Sequence, residues 1–260
     1  IEADWVTKQT WQQCSSDELY SLANYEGWSA ISTWQNEQLS WSDGCAFQLH
    51  NRWPEPAILS RVGDCMMEAS PYASYIEDWR IKSRSAGPLV SLELLSEENL
   101  TTGELIHKNG ALIINGDWAG LVLGRSTEMQ LGSAGKEQKD QLRDIVKSEH
   151  TNKELLEQIF NFETSVAQGN LTDGFEVKYS LQYHRLGQAL FDLEGFEIDE
   201  HNKQVIQIFN EDKQQIKRRF AIDTLEPDFP YSGITPWHKK AQPWFDAEKE
   251  TLGRYLEEVS

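Results

Sequence analysis

The chain has 260 residues, of which 39% are hydrophobic and 25% are charged, and its formal net charge is −18 at pH 7. A surface this acidic repels phosphate backbones and anionic lipid, so we predict that the protein binds no nucleic acid. Its apolar stretches are strand-sized, whereas a membrane-spanning helix needs about 20 consecutive apolar residues. The sequence therefore predicts a soluble protein with no membrane span.

The beginning of the chain shows neither a basic region nor an apolar segment after it, and it starts at Ile1 instead of methionine. We therefore expect a processed or truncated N-terminus, and the sequence leaves the compartment open. Residues 3–25 are predicted to be helical. Ser15 or Ser16 is the expected N-cap, because acidic residues suited to a helix N-terminus follow directly.

Short alternating segments separated by turn residues fill the region of about 27–130. Two Asn-Gly pairs, at 109–110 and 115–116, are strong signals for hairpins between antiparallel strands. Strand patterns resume over about 172–222. The clearest alternation there places five residues on one face: Phe175, Val177, Tyr179, Leu181 and Tyr183. Regular short strands with tight turns favour a barrel or a sandwich over alternating βαβ units.

Helical periodicity occurs in two further places. Apolar residues recur at three- and four-residue spacing over about 136–168, which predicts a helical insertion between the two groups of strands. Thr235 followed by Pro236 fits an N-cap with proline at the first helical position, and predicts a C-terminal helix over about 236–258 that packs on the outside of the barrel. Because no stretch has the composition of a linker, we predict a single domain over residues 1–260.

The sequence offers no recognised metal or cofactor site. Its six histidines are scattered, and its three cysteines lack zinc-ligand spacing. The segment 132–136 lacks the glycine spacing of a phosphate loop, and the Gly-x-Ser-x-Gly motif of serine hydrolases is absent. We therefore predict no metal and no cofactor.

Polar residues within strand patterns supply the candidate site. Tyr75, Glu77 and Trp79 share one face of a predicted strand, and Arg125 ends an apolar run. If the Trp79 face points inward, Glu77 is buried with it and Arg125 is the expected partner, because a buried charge is costly unless it is paired. Such a pair either fixes the closure of the barrel or presents an acid to a ligand.

Two motifs carry a family resemblance: Tyr75-x-Glu77-x-Trp79-Arg80 and, further along the chain, Gly120-Leu-Val-Leu-Gly124-Arg125. With the upstream cluster Trp41-Ser-Asp-Gly44-Cys45, their order resembles the fungal family named for its interaction with a casein kinase I. That resemblance implies a lipocalin-like β-barrel without established catalytic activity. The helical segment and the C-terminal helix depart from the family pattern.

A second resemblance concerns the start of the strands. The motif Leu22-x-x-Tyr25-x-Gly27-Trp28 looks like the opening of lipocalin and calycin barrels, although their usual Gly-x-Trp is here Gly-Trp. The predicted fold class is therefore mainly β, an antiparallel calycin-like or lipocalin-like β-barrel with a helical insertion and a C-terminal helix.

Three functions remain open for such a barrel. The first is binding of a small apolar or amphipathic ligand inside it. The predicted ligand-binding residues are Tyr75, Glu77, Trp79, Arg125, Tyr179 and Tyr183. The second is a cofactor-independent isomerase, cyclase or hydratase, with Glu77 as the catalytic acid or base. The third is a non-catalytic interaction subunit that contacts a protein partner through its acidic face or its terminal helix.

Overall fold

The computed structural model describes residues 10–49, 56–62, 65–80, 82, 86–127, 141–230 and 242–256. Within them the protein is mainly β, with two antiparallel sheets. The helices are α1 Ser16–Leu22, α2 Gln141–Ser148, α3 Lys153–Phe160 and α4 Gln242–Leu256. The first five strands are β1 Trp28–Gln35, β2 Gln38–Ala46, β3 Ala57–Val62, β4 Cys65–Ala69 and β5 Ile76–Arg80. The other eight are β6 Gly87–Asn99, β7 Leu105–Asn115, β8 Trp118–Arg125, β9 Glu163–Asn170, β10 Gly174–Ser180, β11 Phe196–Asp199, β12 Gln204–Glu211 and β13 Gln214–Phe229.

The two sheets have different topologies. The first is a simple meander in the order β1-β2-β3-β4-β5, and the second has the order β10-β9-β8-β7-β6-β13-β12-β11. The predicted mainly β, antiparallel character is therefore confirmed. In the described part of the chain no ladder joins the edge strands β10 and β11, so closure of the second sheet into a barrel stays a prediction.

The segment 187–195 contacts both edges of the eight-stranded sheet. Its Leu190 N–H donates to the carbonyl of Phe175 in the edge strand β10, and the Gly195 carbonyl accepts from Ile208 in β12, the neighbour of the other edge strand, β11. The ring of Phe191 lies 5.8 Å from the ring of Phe175 and 5.9 Å from that of Phe196 in β11, measured between centroids. The two edges are thus linked by one short segment and one aromatic side chain.

Two hydrophobic clusters lie on opposite faces of β8. Leu121 and Leu123 belong to the first cluster, which lines one face of the eight-stranded sheet and includes three phenylalanines, Phe175, Phe191 and Phe220. Val122 points the other way, into a second cluster formed by α1, α2, α3 and the end of β2. Because β8 is covered on both faces, its sequence is a nearly continuous hydrophobic run instead of an alternation.

Helix α1 begins where the sequence predicts. Ser15 is its N-cap and forms a capping box with Glu18, in which the Ser15 hydroxyl accepts from the Glu18 N–H and the Glu18 carboxylate accepts from the Ser15 N–H. The helix is shorter than predicted, since it spans Ser16–Leu22 after a single 3-10 turn at Trp11–Gln13. The part of the predicted helix before residue 10 lies outside the described residues.

One of the two predicted Asn-Gly hairpins is wrong. The hairpin predicted at 115–116 is present, with Gly116 and Asp117 as its loop residues, because Asn115 pairs with Trp118 in the ladder. Asn109 and Gly110 instead lie inside β7, at a bulge that follows His107. Gly110 has φ +133°, and a Cβ at this position would clash with the Val122 carbonyl oxygen. The glycine therefore allows a bulge within one strand.

The predicted helical insertion ends earlier than 168. Helices α2 and α3 lie within 136–168, but Glu163–Asn170 is strand β9, paired with β8 on one side and β10 on the other. In β9, Ser165 and Ala167 are buried while Val166 is 37% exposed, which is the two-residue period of a strand. The position of Val166 is compatible with a helical spacing, but ladder pairing with two neighbours makes the segment a strand.

The C-terminal helix is confirmed over Gln242–Leu256, while 231–241 and 257–260 lie outside the described residues. Pro243 lies in its first turn, where the missing N–H breaks no helical hydrogen bond. The prediction that this helix packs on the outside of the barrel is wrong for Trp244, which is 60% exposed. No helix in the described part of the chain is both long enough and apolar enough to cross a membrane.

Adjacent residues of β7 test the assignment of the sheet faces. Leu112 is 2% exposed, and its neighbour Ile113 is 46% exposed. We expect Leu112→Ala to lower the free energy of unfolding by about 2–5 kcal/mol because it leaves a cavity in the first cluster. The matched control Ile113→Ala should cost no more than about 1 kcal/mol in the same urea titration. Equal losses for the two variants would contradict the assignment.

Candidate functional site

Arg125, at the end of β8, holds three separate parts of the chain together. Its Nε and Nη2 both donate to the carbonyl of Ile159 in α3, at 2.9 and 2.8 Å. Nη2 also donates to the Phe47 carbonyl at 2.9 Å, and Nη1 donates to the Ala46 carbonyl at 3.3 Å. The guanidinium thus connects the eight-stranded sheet to α3 and to the end of β2 in the other sheet.

The charge of Arg125 has no acidic partner in the described part of the chain. The predicted pair with Glu77 is not formed, because the four hydrogen bonds of Arg125 go to neutral carbonyls. The guanidinium carbon also lies 5.3 and 5.2 Å from the ring centroids of Phe47 and Phe162. Burial lowers the pKa of the Arg125 guanidinium to about 10, so the group keeps its charge at neutral pH. Four of its five N–H donors are used among the described residues, and one N–H of Nη1 has no partner there.

A cavity of about 610 Å³ opens beside this arginine. We call it the Arg125 cavity. Its apolar wall consists of Trp11, Leu105, Ile106, Phe160 and Phe162. Its titratable wall consists of Arg125, His107, His184, Glu104, Glu157 and Glu163. The volume lies within the range of about 300–1,000 Å³ typical of small-molecule sites.

His107 on the cavity wall belongs to a buried group of charges. Its Nδ1 lies 3.0 Å from the Gly124 carbonyl oxygen, and because a carbonyl only accepts, Nδ1 carries the hydrogen. Its Nε2 faces Glu97 at 4.0 Å from Oε1. Arg218 donates to Oε2 of the same carboxylate. Glu97 is 2% exposed and Arg218 is 7% exposed, so this ion pair is closed off from water.

A second acid on the cavity wall, Glu163, is also neutralised by an arginine. Arg185 Nε donates to Glu163 Oε1 at 2.8 Å, and the Ser165 hydroxyl donates to the same oxygen at 2.6 Å. His184 is exposed at the mouth of the cavity. Partial burial lowers the pKa of His184, while nearby Glu163 opposes this effect and Arg185 adds to it. Among the described residues, the inner wall therefore carries one positive charge without a counter-ion, that of Arg125.

The other predicted residues lie elsewhere. Tyr75 precedes β5 and Glu77 and Trp79 lie on β5, in the five-stranded sheet, whereas Arg125 ends β8 in the other sheet. Glu77 is exposed, and it accepts a hydrogen bond from the Trp79 indole at 3.0 Å. The inward orientation that would bury Glu77 together with the Trp79 face is therefore not the one that the structure shows.

The buried acid in this part of the five-stranded sheet is Glu68, directly opposite Glu77 in the β4–β5 ladder. Glu68 is 3% exposed, and its Oε1 accepts from the Tyr75 hydroxyl at 3.0 Å. Its Oε2 is buried without a hydrogen-bond partner among the described residues. Burial raises the pKa of the Glu68 carboxyl; the Tyr75 hydrogen bond opposes this shift, and the charge of Glu77 adds to it.

The two tyrosines predicted from β10 are separated from the cavity wall. A bulge between Val177 and Tyr179 shifts the register, so Tyr179 pairs with Val166 on the outer face and is 65% exposed. Tyr183 lies in a 3-10 turn at Tyr183–Arg185 and packs against the second hydrophobic cluster. The alternation that predicts both rings on one face ends at the bulge. The six predicted ligand-binding residues therefore do not form one site.

The sequence pattern does not reveal most of the cavity wall. His107 lies beside the Asn109–Gly110 bulge that is predicted as a turn, and Glu163 begins the strand that is predicted as helix. The sequence shows only that His107 lies in a strand-rich region; its place directly opposite Arg125 is set by the register of the β7–β8 ladder. In the residues that the structure describes, no three His, Cys, Asp or Glu side chains are grouped so that they could hold a metal ion.

No protein-family model matches the chain, and neither a curated protein nor a solved structure is significantly similar to it.

Glu68→Gln is expected to stabilise the protein more at pH 7.5 than at pH 4.5. Because burial raises the pKa of Glu68 above its ordinary value, the folded state holds this proton more tightly than the unfolded state. The free energy of unfolding of the native protein therefore falls as the pH rises above about 4.5, the ordinary value, and the uncharged glutamine avoids this loss. Urea titrations at both pH values measure the difference. Exposed Glu93→Gln, in the other sheet, is the control and should give a smaller effect. An effect of Glu68→Gln that is equal at both pH values would contradict the assignment.

Proposed function

We propose that the protein binds a small amphipathic anion in the Arg125 cavity. The observation that carries this proposal is the guanidinium of Arg125, which lines the cavity and, among the described residues, has neither an acidic partner nor an acceptor for its fifth N–H. A buried charge without a counter-ion is costly, and an anionic ligand group beside it would lower that cost. Of the six residues predicted from the sequence, Arg125 is the one that the proposal keeps in the site.

The rest of the cavity wall favours an amphipathic ligand over a purely apolar one. Trp11 stacks on Phe160, with ring centroids 5.7 Å apart, and both rings line the cavity. These rings offer an apolar surface to one part of a ligand, while Arg125 attracts its charged end. The exposed carboxylates Glu104 and Glu157 at the rim, together with the net charge of −18, disfavour a large polyanion.

We also propose that the eight-stranded sheet is wrapped into a calycin-like barrel. The contacts of Phe191 with both edge strands and the hydrogen bonds of the segment 187–195 support it. The face of the sheet that would become the interior is occupied by the first hydrophobic cluster. The ligand is therefore proposed to bind in the cavity beside Arg125, and the centre of the barrel is left to packed side chains.

An anionic and a neutral version of one fluorophore test this function. We expect 8-anilinonaphthalene-1-sulfonate to bind about tenfold more tightly than N-phenyl-1-naphthylamine, which lacks the sulfonate; tenfold corresponds to about 1.4 kcal/mol. The preference is expected in spite of a protein charge of −18, because Arg125 is a local cation. Fluorescence titration at about pH 7.5, where the sulfonate is charged, measures both dissociation constants.

Two variants test whether the preference for the sulfonate probe comes from Arg125. Arg125→Gln should remove the preference for the sulfonate, and near-ultraviolet circular dichroism checks that this variant is folded. Arg219→Gln is the control, since Arg219 is a partly exposed arginine paired with Glu98 in the same sheet. Equal affinity of the native protein for the two probes would overturn the proposal whether or not Arg125→Gln folds.

A further inference from the structure

We propose that His107 is a second, proton-dependent cationic group of the anion site, so that the protein takes up a proton when it binds its ligand. This inference rests on the proposed function and concerns what sets the affinity of the same cavity. His107 and Arg125 both line the cavity and are paired across the β7–β8 ladder. A positive charge on His107 therefore lies on the same wall as the guanidinium.

The hydrogen bonds of His107 define which nitrogen titrates. Nδ1 donates to the Gly124 carbonyl in either protonation state, so only Nε2 gains or loses a proton. In the neutral ring Nε2 and Glu97 Oε1 are two acceptors 4.0 Å apart. In the protonated ring Nε2 is within ion-pair distance of that carboxylate, while Nδ1 keeps its hydrogen bond to Gly124.

Protonation of His107 changes the summed charge of His107, Glu97 and Arg218 from zero to +1. Glu97 and Arg218 form a buried ion pair with no net charge, and neutral His107 adds none. Imidazolium at His107 makes the sum of the three +1, beside the charge of Arg125. Two positive charges on the wall attract an anion more strongly than one, and a bound anion in turn favours the protonated ring.

The other titratable groups on the wall do not account for such an effect. Histidine is the side chain that ordinarily changes its charge between about pH 5 and 8, whereas the acids on the wall, Glu104, Glu157 and Glu163, are carboxylates. Arginines keep their charge throughout this range. Only His184 remains on the described wall, and because burial lowers its pKa it titrates at a lower pH than an ordinary histidine. It is the matched control for His107.

The test uses 8-anilinonaphthalene-1-sulfonate, whose sulfonate stays charged between pH 5.5 and 8.0. We expect its affinity for the native protein to be about five- to tenfold higher at pH 5.5 than at pH 8.0, in 150 mM salt. The neutral N-phenyl-1-naphthylamine should show less than a twofold change, which separates the effect from a general rearrangement. Calorimetry at pH 6.5 in two buffers of different ionisation enthalpy should show fractional proton uptake on binding of the sulfonate.

His107→Asn should abolish both the pH dependence and the proton uptake, because its amide can still donate to the Gly124 carbonyl but does not titrate. His184→Asn should retain both.

If the native protein binds the sulfonate with the same affinity at the two pH values, or if His107→Asn keeps the pH dependence, the inference is overturned while anion binding stands. Absence of any preference for the sulfonate would overturn the proposed function itself. The two-buffer calorimetry of the native protein decides the question even if His107→Asn does not fold, since binding without proton uptake overturns the inference.

Discussion

The guanidinium of Arg125 is the contact on which the described arrangement depends most. It donates to the carbonyls of Ala46, Phe47 and Ile159, which belong to the end of β2, the residue after it and the last turn of α3. Helix C-termini and strand ends expose carbonyls that need partners, and one arginine satisfies three of them. Without it these three part-buried carbonyls would lose that partner, and a polar group left fully buried without a hydrogen bond costs about 1–3 kcal/mol.

The same contact has an electrostatic consequence. Arg125 is stabilised by backbone carbonyl dipoles and by the faces of two phenylalanine rings. By contrast, Arg218 is neutralised by the carboxylate of Glu97, and Arg185 by that of Glu163. The described part of the chain therefore places one cation without a counter-ion beside a cavity, in a protein whose overall charge is −18. This local reversal of sign is the physical basis for proposing a small anionic ligand, and it limits the ligand to one that passes the acidic rim.

Local signals in the sequence predict local structure well. The capping box at Ser15 and the tight turn at Gly116 and Asp117 follow from contacts within a few residues of each other. The apolar run of β8 is likewise visible in the sequence, as a strand that is covered on both faces. The mainly β, antiparallel character follows from the same signals. Prediction fails where pairing with a distant strand decides the outcome, as for Glu163–Asn170, which is β9 only because β8 and β10 flank it.

The candidate site is harder to predict for the same reason. Two bulges, one after His107 and one after Val177, change which side chains share a face, and neither has a local sequence signature apart from Gly110. The buried acid near Tyr75 is Glu68 and not Glu77, because the ladder places these two carboxylates opposite each other and only one is covered. Arg125 is recognisable because an arginine that ends an apolar run needs a buried partner. That its partners are carbonyls cannot be deduced from the sequence.

One measurement tests the central claim that Arg125 is both the connection between these elements and the cation of the site. In a ¹⁵N-edited spectrum, the Nε–H resonance of Arg125 is identified by its loss in Arg125→Lys. We predict that this Nε–H exchanges with solvent far more slowly than that of Arg80, which is 42% exposed, and that its resonance shifts on addition of 8-anilinonaphthalene-1-sulfonate. An Arg125 Nε–H that exchanges as fast as that of Arg80 and does not shift with the probe would contradict the claim.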